Sequence, residues 1–213
     1  MSGGLRVPGH GRNAPRRSRK RTQQCLVVSG GEVTEKEYFD YLKRTFGFNI
    51  RSKSKVKSPS QLVDYAITLK DDRNREPGVD PYSRVWVVVD VDDFHDHRQA
   101  ERKCRENGIQ LVISNPCFEV WLIDHVCVCP DSYVLTKDVE RYAKEKDVTT
   151  GRNGKSIEFP TINGKLNDAL ANAERHNADS QRQKARKILT PNDERQFAPW
   201  TDMPSLVRTI CHQ

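Results

Sequence analysis

Val85-Trp86-Val87-Val88-Val89-Asp90-Val91-Asp92-Asp93 is the stretch that decides the fold. Its uninterrupted run of β-branched and aromatic residues suits a strand covered on both faces, which is the habit of a central strand in a parallel sheet. The run ends abruptly in carboxylates. Because successive side chains alternate faces, Asp90 and Asp92 point the same way at the strand's C-terminal end, where open α/β sheets place their ligands.

Apolar runs and helix-length amphipathic stretches alternate outward from this strand, the pattern of a parallel sheet flanked by helices. Upstream, Cys25 to Ser29 reads as a first strand. Thr34 with Glu37 has the spacing of a capping box for a helix whose apolar stripe is Phe39, Leu42 and Phe46, closed by Gly47. Phe48 to Ser52 is a weak second strand, and Ser58-Pro59 opens a helix through about Lys70. Downstream, a charged helix runs from about Asp96 to Asn107, which Asp93 or His95 would open if the acids before it are only a solvated turn, and Ile109 to Ser114 forms a fourth strand. Asn115-Pro116 stops that strand, and Asn115 is placed to cap the very apolar helix carrying Phe118, Val120, Trp121, Ile123 and Val126. Beyond residue 130 the pattern weakens to helices near Lys137 to Lys146 and Lys165 to His176, a Gly-rich loop at Gly151 to Gly154, and a short helical stretch through Leu206 and Ile210.

The chain has 213 residues, 35% hydrophobic and 31% charged, which fits one α/β domain with tails and excludes a large multidomain enzyme. Its apolar runs are too short to cross a bilayer, and no apolar segment follows the N-terminal arginines as a secretory signal requires, so a cytoplasmic protein is expected. The net charge of +7 is local. Residues 1–22 hold seven of the 36 basic residues and no acid, and the remaining 29 balance 29 acids. This Gly/Pro/Ser-rich arm is expected to be disordered and able to bind polyanions non-specifically. The six cysteines are read as free thiols. His125, Cys127 and Cys129 lie close together but lack the second ligand pair of a zinc site, which favours buried structural thiols.

Three segments carry candidate chemistry. Asp90 and Asp92, extended by Asp93, form an oxygen-rich group suited to Mg²⁺ or Mn²⁺; the plainer alternative is a solvated acidic turn. Ser29-Gly30-Gly31-Glu32-Val33-Thr34-Glu35 follows the first strand, its glycines permitting close backbone approach to a phosphate and Glu32 projecting at the same sheet edge; alternatively Glu32 and Glu35 merely complement a helix dipole. Ser114-Asn115-Pro116-Cys117-Phe118-Glu119-Val120-Trp121-Leu122 puts Glu119 inside an apolar helix, where a carboxylate is costly unless it meets a cation or a donor.

Together, the Gly-Glu-x-Thr-Glu turn, the strand ending Asp-x-Asp-Asp and the Ser-Asn-Pro-Cys-Phe-Glu-x-Trp-Leu string resemble the RloB-like proteins over residues 25 to 125. The resemblance implies a Toprim core, an α/β domain with a four-stranded parallel sheet over residues 23–128, followed by a mostly helical C-terminal extension, 129–213, packed on it. It implies a Mg²⁺- or Mn²⁺-dependent endonuclease acting on DNA or RNA in bacterial antiviral, abortive-infection defence, often beside an ATPase partner; a homo-oligomer is compatible with it. On this reading Asp90, Asp92 and Asp93 hold the metal, Glu32 is the general acid/base or a further ligand, Glu119 orients a ligand, and Asn115 and Glu35 support them. Lys53, Lys55 and Lys57, with the N-terminal arm, are candidate nucleic-acid contacts; the alternative is an ordinary solvated basic loop. Many family members carry Glu-Gly-Glu where this chain has Gly30-Gly31-Glu32, so either Glu32 substitutes for the missing acid or catalysis is altered. The alternatives are a non-catalytic nucleic-acid-binding or regulatory subunit of an ATPase-containing complex and a primase-like synthetic activity, for which no nucleotide pocket is identified. No residue pattern identifies a docking surface for an ATPase partner, although the apolar region around Trp200 is worth mutating.

Overall fold

The computed structural model describes residues 23–91, 94–188 and 197–211, with the backbone alone at 185–188. The basic arm, Asp92 and Asp93 therefore lie outside the described residues. The chain runs β1 (Cys25–Ser29), α1 (Thr34–Phe46), β2 (Ile50–Ser54), α2 (Pro59–Arg75), β3 (Arg84–Asp90), α3 (His97–Glu106), β4 (Gln110–Asn115) and α4 (Glu119–Asp124). There follow α5 (Thr136–Glu145), the hairpin β5 (Thr149–Thr150) and β6 (Ser156–Ile157), α6 (Phe159–Ile162), α7 (Leu166–Asn177), α8 (Ser180–Ile188), β7 (Trp200–Thr201) and α9 (Met203–Cys211).

The main sheet has the order β2-β1-β3-β4-β7. Its first four strands are parallel, and β7 joins β4 antiparallel, with Ser114 opposite Thr201 and Asn115 opposite Trp200. A sheet of four strands is thus corrected to five. The added strand is only two residues long, too short to show an alternating pattern. Trp200 is 1% exposed and packs in the core beside α2 and α3.

Alternation along β3 explains the two-sided core. Trp86 and Val88 pack with Tyr38, Phe39 and Leu42 of α1 and with α4, α7 and α9, whereas Val85, Val87 and Val89 pack with Leu62, Val63 and Ala66 of α2 and Ala100 and Cys104 of α3. The chain leaves β1 through α1 toward β2 on one side and returns through α2, on the opposite face, to β3 on the other side. β1 and β3 therefore flank the point where strand order reverses, and a crevice opens there at their C-terminal ends.

Local signals mark most helix ends but not their bonding. Gly47 ends α1 in the left-handed region (φ 70°), its N–H donating to the Lys43 carbonyl. The expected capping box is not made. Thr34 Oγ1 donates to the Lys155 carbonyl (2.8 Å) and the Glu37 carboxylate accepts from the Ile157 N–H (2.8 Å), so both side chains bind the β5–β6 hairpin instead. Asn115 does not cap α4 either, since the N-cap position is Phe118. At α2, the Asp96 carboxylate accepts from Ser58 Oγ (2.7 Å) and the Ser60 N–H (3.0 Å). Those bonds outweigh its burial and lower the Asp96 carboxyl. Asp96, rather than Asp93 or His95, is the residue at the N-cap of α3.

Candidate active site

A cleft of about 360 Å³ occupies the crevice between β1 and β3, and Gly30, Gly31, Glu32, Glu35, Lys57, Asp90, Glu119 and Lys155 are among its lining residues. Three chain segments deliver its acids: the β1–α1 turn, the end of β3 and the start of α4.

Glu35, in the first turn of α1, is 5% exposed. Its Oε1 accepts from the Gly31 N–H at 2.9 Å. A Cβ at position 31 would come within 1.8 Å of Glu35 Oε2, so any other residue there would displace the Glu35 carboxylate from its present seat. The glycine expected to admit a phosphate thus seats the chain's own carboxylate. Burial, reinforced by the Glu119 carboxylate, raises the Glu35 carboxyl from 4.5 to about 7, against the lowering pull of the Gly31 N–H and Lys155. Position 30 differs: a Cβ there would meet only Leu62 Cδ1, at 3.5 Å, so glycine is not sterically required.

Glu119 begins α4 and is 2% exposed. The cation it requires comes from Lys155 of the β5–β6 hairpin, whose Nζ lies 3.5 Å from Glu119 Oε1 and binds Glu140 more closely. Burial alone would lower the Lys155 ammonium, but Glu119 and Glu140 together raise it. Asp90 is half-buried at the end of β3, and its carbonyl is held by His97 Nε2 at 2.8 Å, which fixes the strand end. The buried Cys117 thiol is pushed up by burial and then by the charges of Glu119 and Asp90.

The structure therefore brings together Glu32, Glu35, Asp90 and Glu119, with Glu32 exposed at the cleft and Glu35 within it. Of the three lysines only Lys57 lines the cleft; Lys53 lies on β2, and the Lys55 ammonium sits 5.0 Å from the centre of the Tyr65 ring. Asn115 is buried at the end of β4 beside β7. Lys155 was not singled out by sequence reasoning. It follows a Gly-rich turn 36 residues from Glu119, and no local periodicity links the two.

Among the described residues, no group of three or more His, Cys, Asp and Glu side chains is gathered closely enough to hold a metal ion. The acids nonetheless suit a hard divalent cation of the Mg²⁺ type, which takes one or two carboxylates and completes its shell with water and substrate phosphate. The buried Glu119 carboxylate beside Glu35 helps raise the Glu35 carboxyl, the electrostatic setting such a cation relieves.

The family profile described as RloB-like protein matches residues 25–210. This chain belongs to the RloB-like protein family. No curated protein and no solved structure matches the chain. The match to the RloB-like profile spans both the cleft-bearing strands and the hairpin that supplies Lys155, so the whole site lies inside the family region. Among the described residues of the RloB-like chain, no helix is long and apolar enough to cross a membrane.

Proposed function

We propose that this protein is a metal-dependent endonuclease of the Toprim type, cleaving phosphodiester bonds in DNA or RNA in bacterial antiviral, abortive-infection defence. The observation that carries the reading is the convergence of Glu35, Asp90 and Glu119 with Lys57 and Lys155 at the sheet's reversal point. A bound Mg²⁺ or Mn²⁺ supplies Lewis-acid polarisation of a phosphoryl oxygen. Asp90 and Glu119 are the residues to hold it, since Lys155 leans mainly on Glu140 and leaves Glu119 able to take a second cation. Lys57 and Lys155 attract the phosphate.

Glu35 takes the general acid/base role first assigned to Glu32. A carboxyl poised at about 7 holds its proton in part of the population and releases it in the rest, which is what proton transfer at neutral pH requires. Glu32, exposed at the cleft, is left to contact substrate. An alternative, a non-catalytic nucleic-acid-binding or regulatory subunit that works with an ATPase partner, draws support from glycine at position 30 and from Lys155 already neutralising Glu119.

The test is cleavage of mixed DNA and RNA pools with Mg²⁺, Mn²⁺ or EDTA. Metal-dependent cutting that falls at least about 100-fold in Asp90→Asn and Glu35→Gln, with folding intact by circular dichroism, supports the enzyme. Binding without cutting under any metal supports the subunit.

A further inference from the structure

The described residues expose six large hydrophobic side chains: Val33, Phe46, Val56, Phe94, Val134 and Leu135. Three of them, Val33, Val56 and Phe94, line the acidic cleft. They come from three different connections, after β1, between β2 and α2, and between β3 and α3, so no single helix stripe or strand pattern explains their grouping. Val56 is 70% exposed and contributes almost nothing to the core. Phe46, by contrast, stacks on Phe48 with ring centres 5.5 Å apart and so is satisfied within the chain. Pro59 and Leu62 continue the apolar wall inward from the rim. Val56 itself stands between Lys55 and Lys57, the latter also lining the cleft.

An apolar rim with an aromatic ring and with Lys57 beside it fits one ligand chemistry: a flat apolar face carried on an anionic backbone that passes Lys57 at the rim and stays clear of the acidic floor. We propose that Val33, Val56 and Phe94 form a binding site for an unpaired nucleobase of a single-stranded nucleic acid, its backbone passing Lys57. The choice of ligand class rests on the nuclease reading above. In a duplex the base faces are stacked on one another and only their edges reach the grooves, so this rim would find no apolar partner there. A single strand presents those faces, and an aromatic side chain holds them with little regard for base identity.

The test is the binding of short fluorescent oligonucleotides to the full chain in EDTA, so that no catalysis is needed, each sequence being offered single-stranded and as a duplex. Wild type, Phe94→Ala, Val56→Ser and Lys57→Ala are compared, which holds constant any contribution of the basic residues 1–22. The single strand is expected to bind more tightly than the duplex. Phe94→Ala is expected to weaken single-strand binding about 5- to 150-fold with the salt dependence unchanged, as loss of one base stack does. Lys57→Ala is expected to flatten the salt dependence instead. Equal affinity for both forms, or unaltered single-strand binding in Phe94→Ala, overturns the rim site and leaves the nuclease reading standing. Failure of the wild type to bind any nucleic acid overturns the rim site, and the metal-dependent cleavage assay then decides the nuclease reading separately.

Discussion

The two ends of α4 each bury a carboxylate, and they have opposite fates. At the C-terminal end, Asp124 is fully enclosed and bonded to His176 Nε2 of α7 at 2.9 Å, with both side chains 0% exposed. At the N-terminal end, Glu119 opens onto a cleft, has a second buried carboxylate for a neighbour, and shares its lysine with Glu140. Burial raises Asp124 to about 6, with His176 pulling the other way, so this carboxyl too is far from its ordinary value. A perturbed carboxyl is therefore no sign of function by itself. What separates the two ends is access to a cleft and like charge left partly uncompensated, the conditions under which a ligand rather than a side chain completes the site.

His125, Cys127 and Cys129 belong with the enclosed end. His125 bonds the Trp121 carbonyl through Nδ1 (3.0 Å) and approaches the Tyr38 hydroxyl through Nε2 (3.4 Å), and burial lowers it to about 4. Cys127 meets the Tyr142 hydroxyl at 3.6 Å, and Cys129 is buried. Close spacing in the chain brought metal-binding residue types together, yet each has found a partner or a place in the core. The acids of the cleft are as far apart in sequence as Glu35 and Glu119, and they meet only because three segments end at one sheet edge.

The contrast can be broken or sharpened by three variants. The largest effect is expected from His176→Ala, which leaves Asp124 buried without its partner and should cost about 3–5 kcal/mol in denaturant unfolding. A loss below about 1 kcal/mol would make the enclosed pair as dispensable as a surface contact.

Glu35→Gln should act on stability in the opposite direction. The folded protein keeps the Glu35 proton up to about pH 7 whereas an ordinary glutamate releases it near 4.5, so wild-type stability falls as pH rises through that window. The fall attributable to Glu35 is up to roughly 3 kcal/mol. The variant retains an acceptor for the Gly31 N–H and lacks the charge. Its melting temperature relative to wild type should therefore climb between about pH 4.5 and 7, and saturating Mg²⁺ should shrink the difference by favouring the ionised wild-type carboxylate. A flat difference across the window would remove Glu35 from the acid/base role.

The smallest effect is expected from Cys127→Ser. It should leave cleavage unchanged and stability within about 0.5 kcal/mol, because the half-buried hydroxyl can still reach Tyr142. A large loss of metal-dependent activity would move the functional site to the other end of α4.

The elements legible in the sequence were those with a local cause. The apolar runs of β1, β3 and β4 and the all-round apolar surface of α4 each report burial directly, and Gly47 reports a helix end. The segments that escaped are held by distant partners. β7 has two residues and exists because Ser114 Oγ and Thr201 Oγ1 meet at 2.8 Å and the Asp202 N–H donates to the Ile113 carbonyl. Thr34 and Glu37 had the spacing of a cap and were recruited by the hairpin. At the site, Asp90 and Glu119 were visible as carboxylates at strand and helix ends. Glu32 ranked above Glu35 only because the sequence does not show which side of the first turn of α1 is covered. Lys155 was invisible for the same reason: its role depends on where the hairpin lands.

The most direct measurement is Mn²⁺ binding to the full chain, followed by electron paramagnetic resonance of the free ion, for wild type, Asp90→Asn and Cys127→Ser. Wild type and Cys127→Ser should take up Mn²⁺ alike and Asp90→Asn should lose it. Uptake unaffected by Asp90→Asn, or none in wild type, would contradict a metal site at the open end of α4.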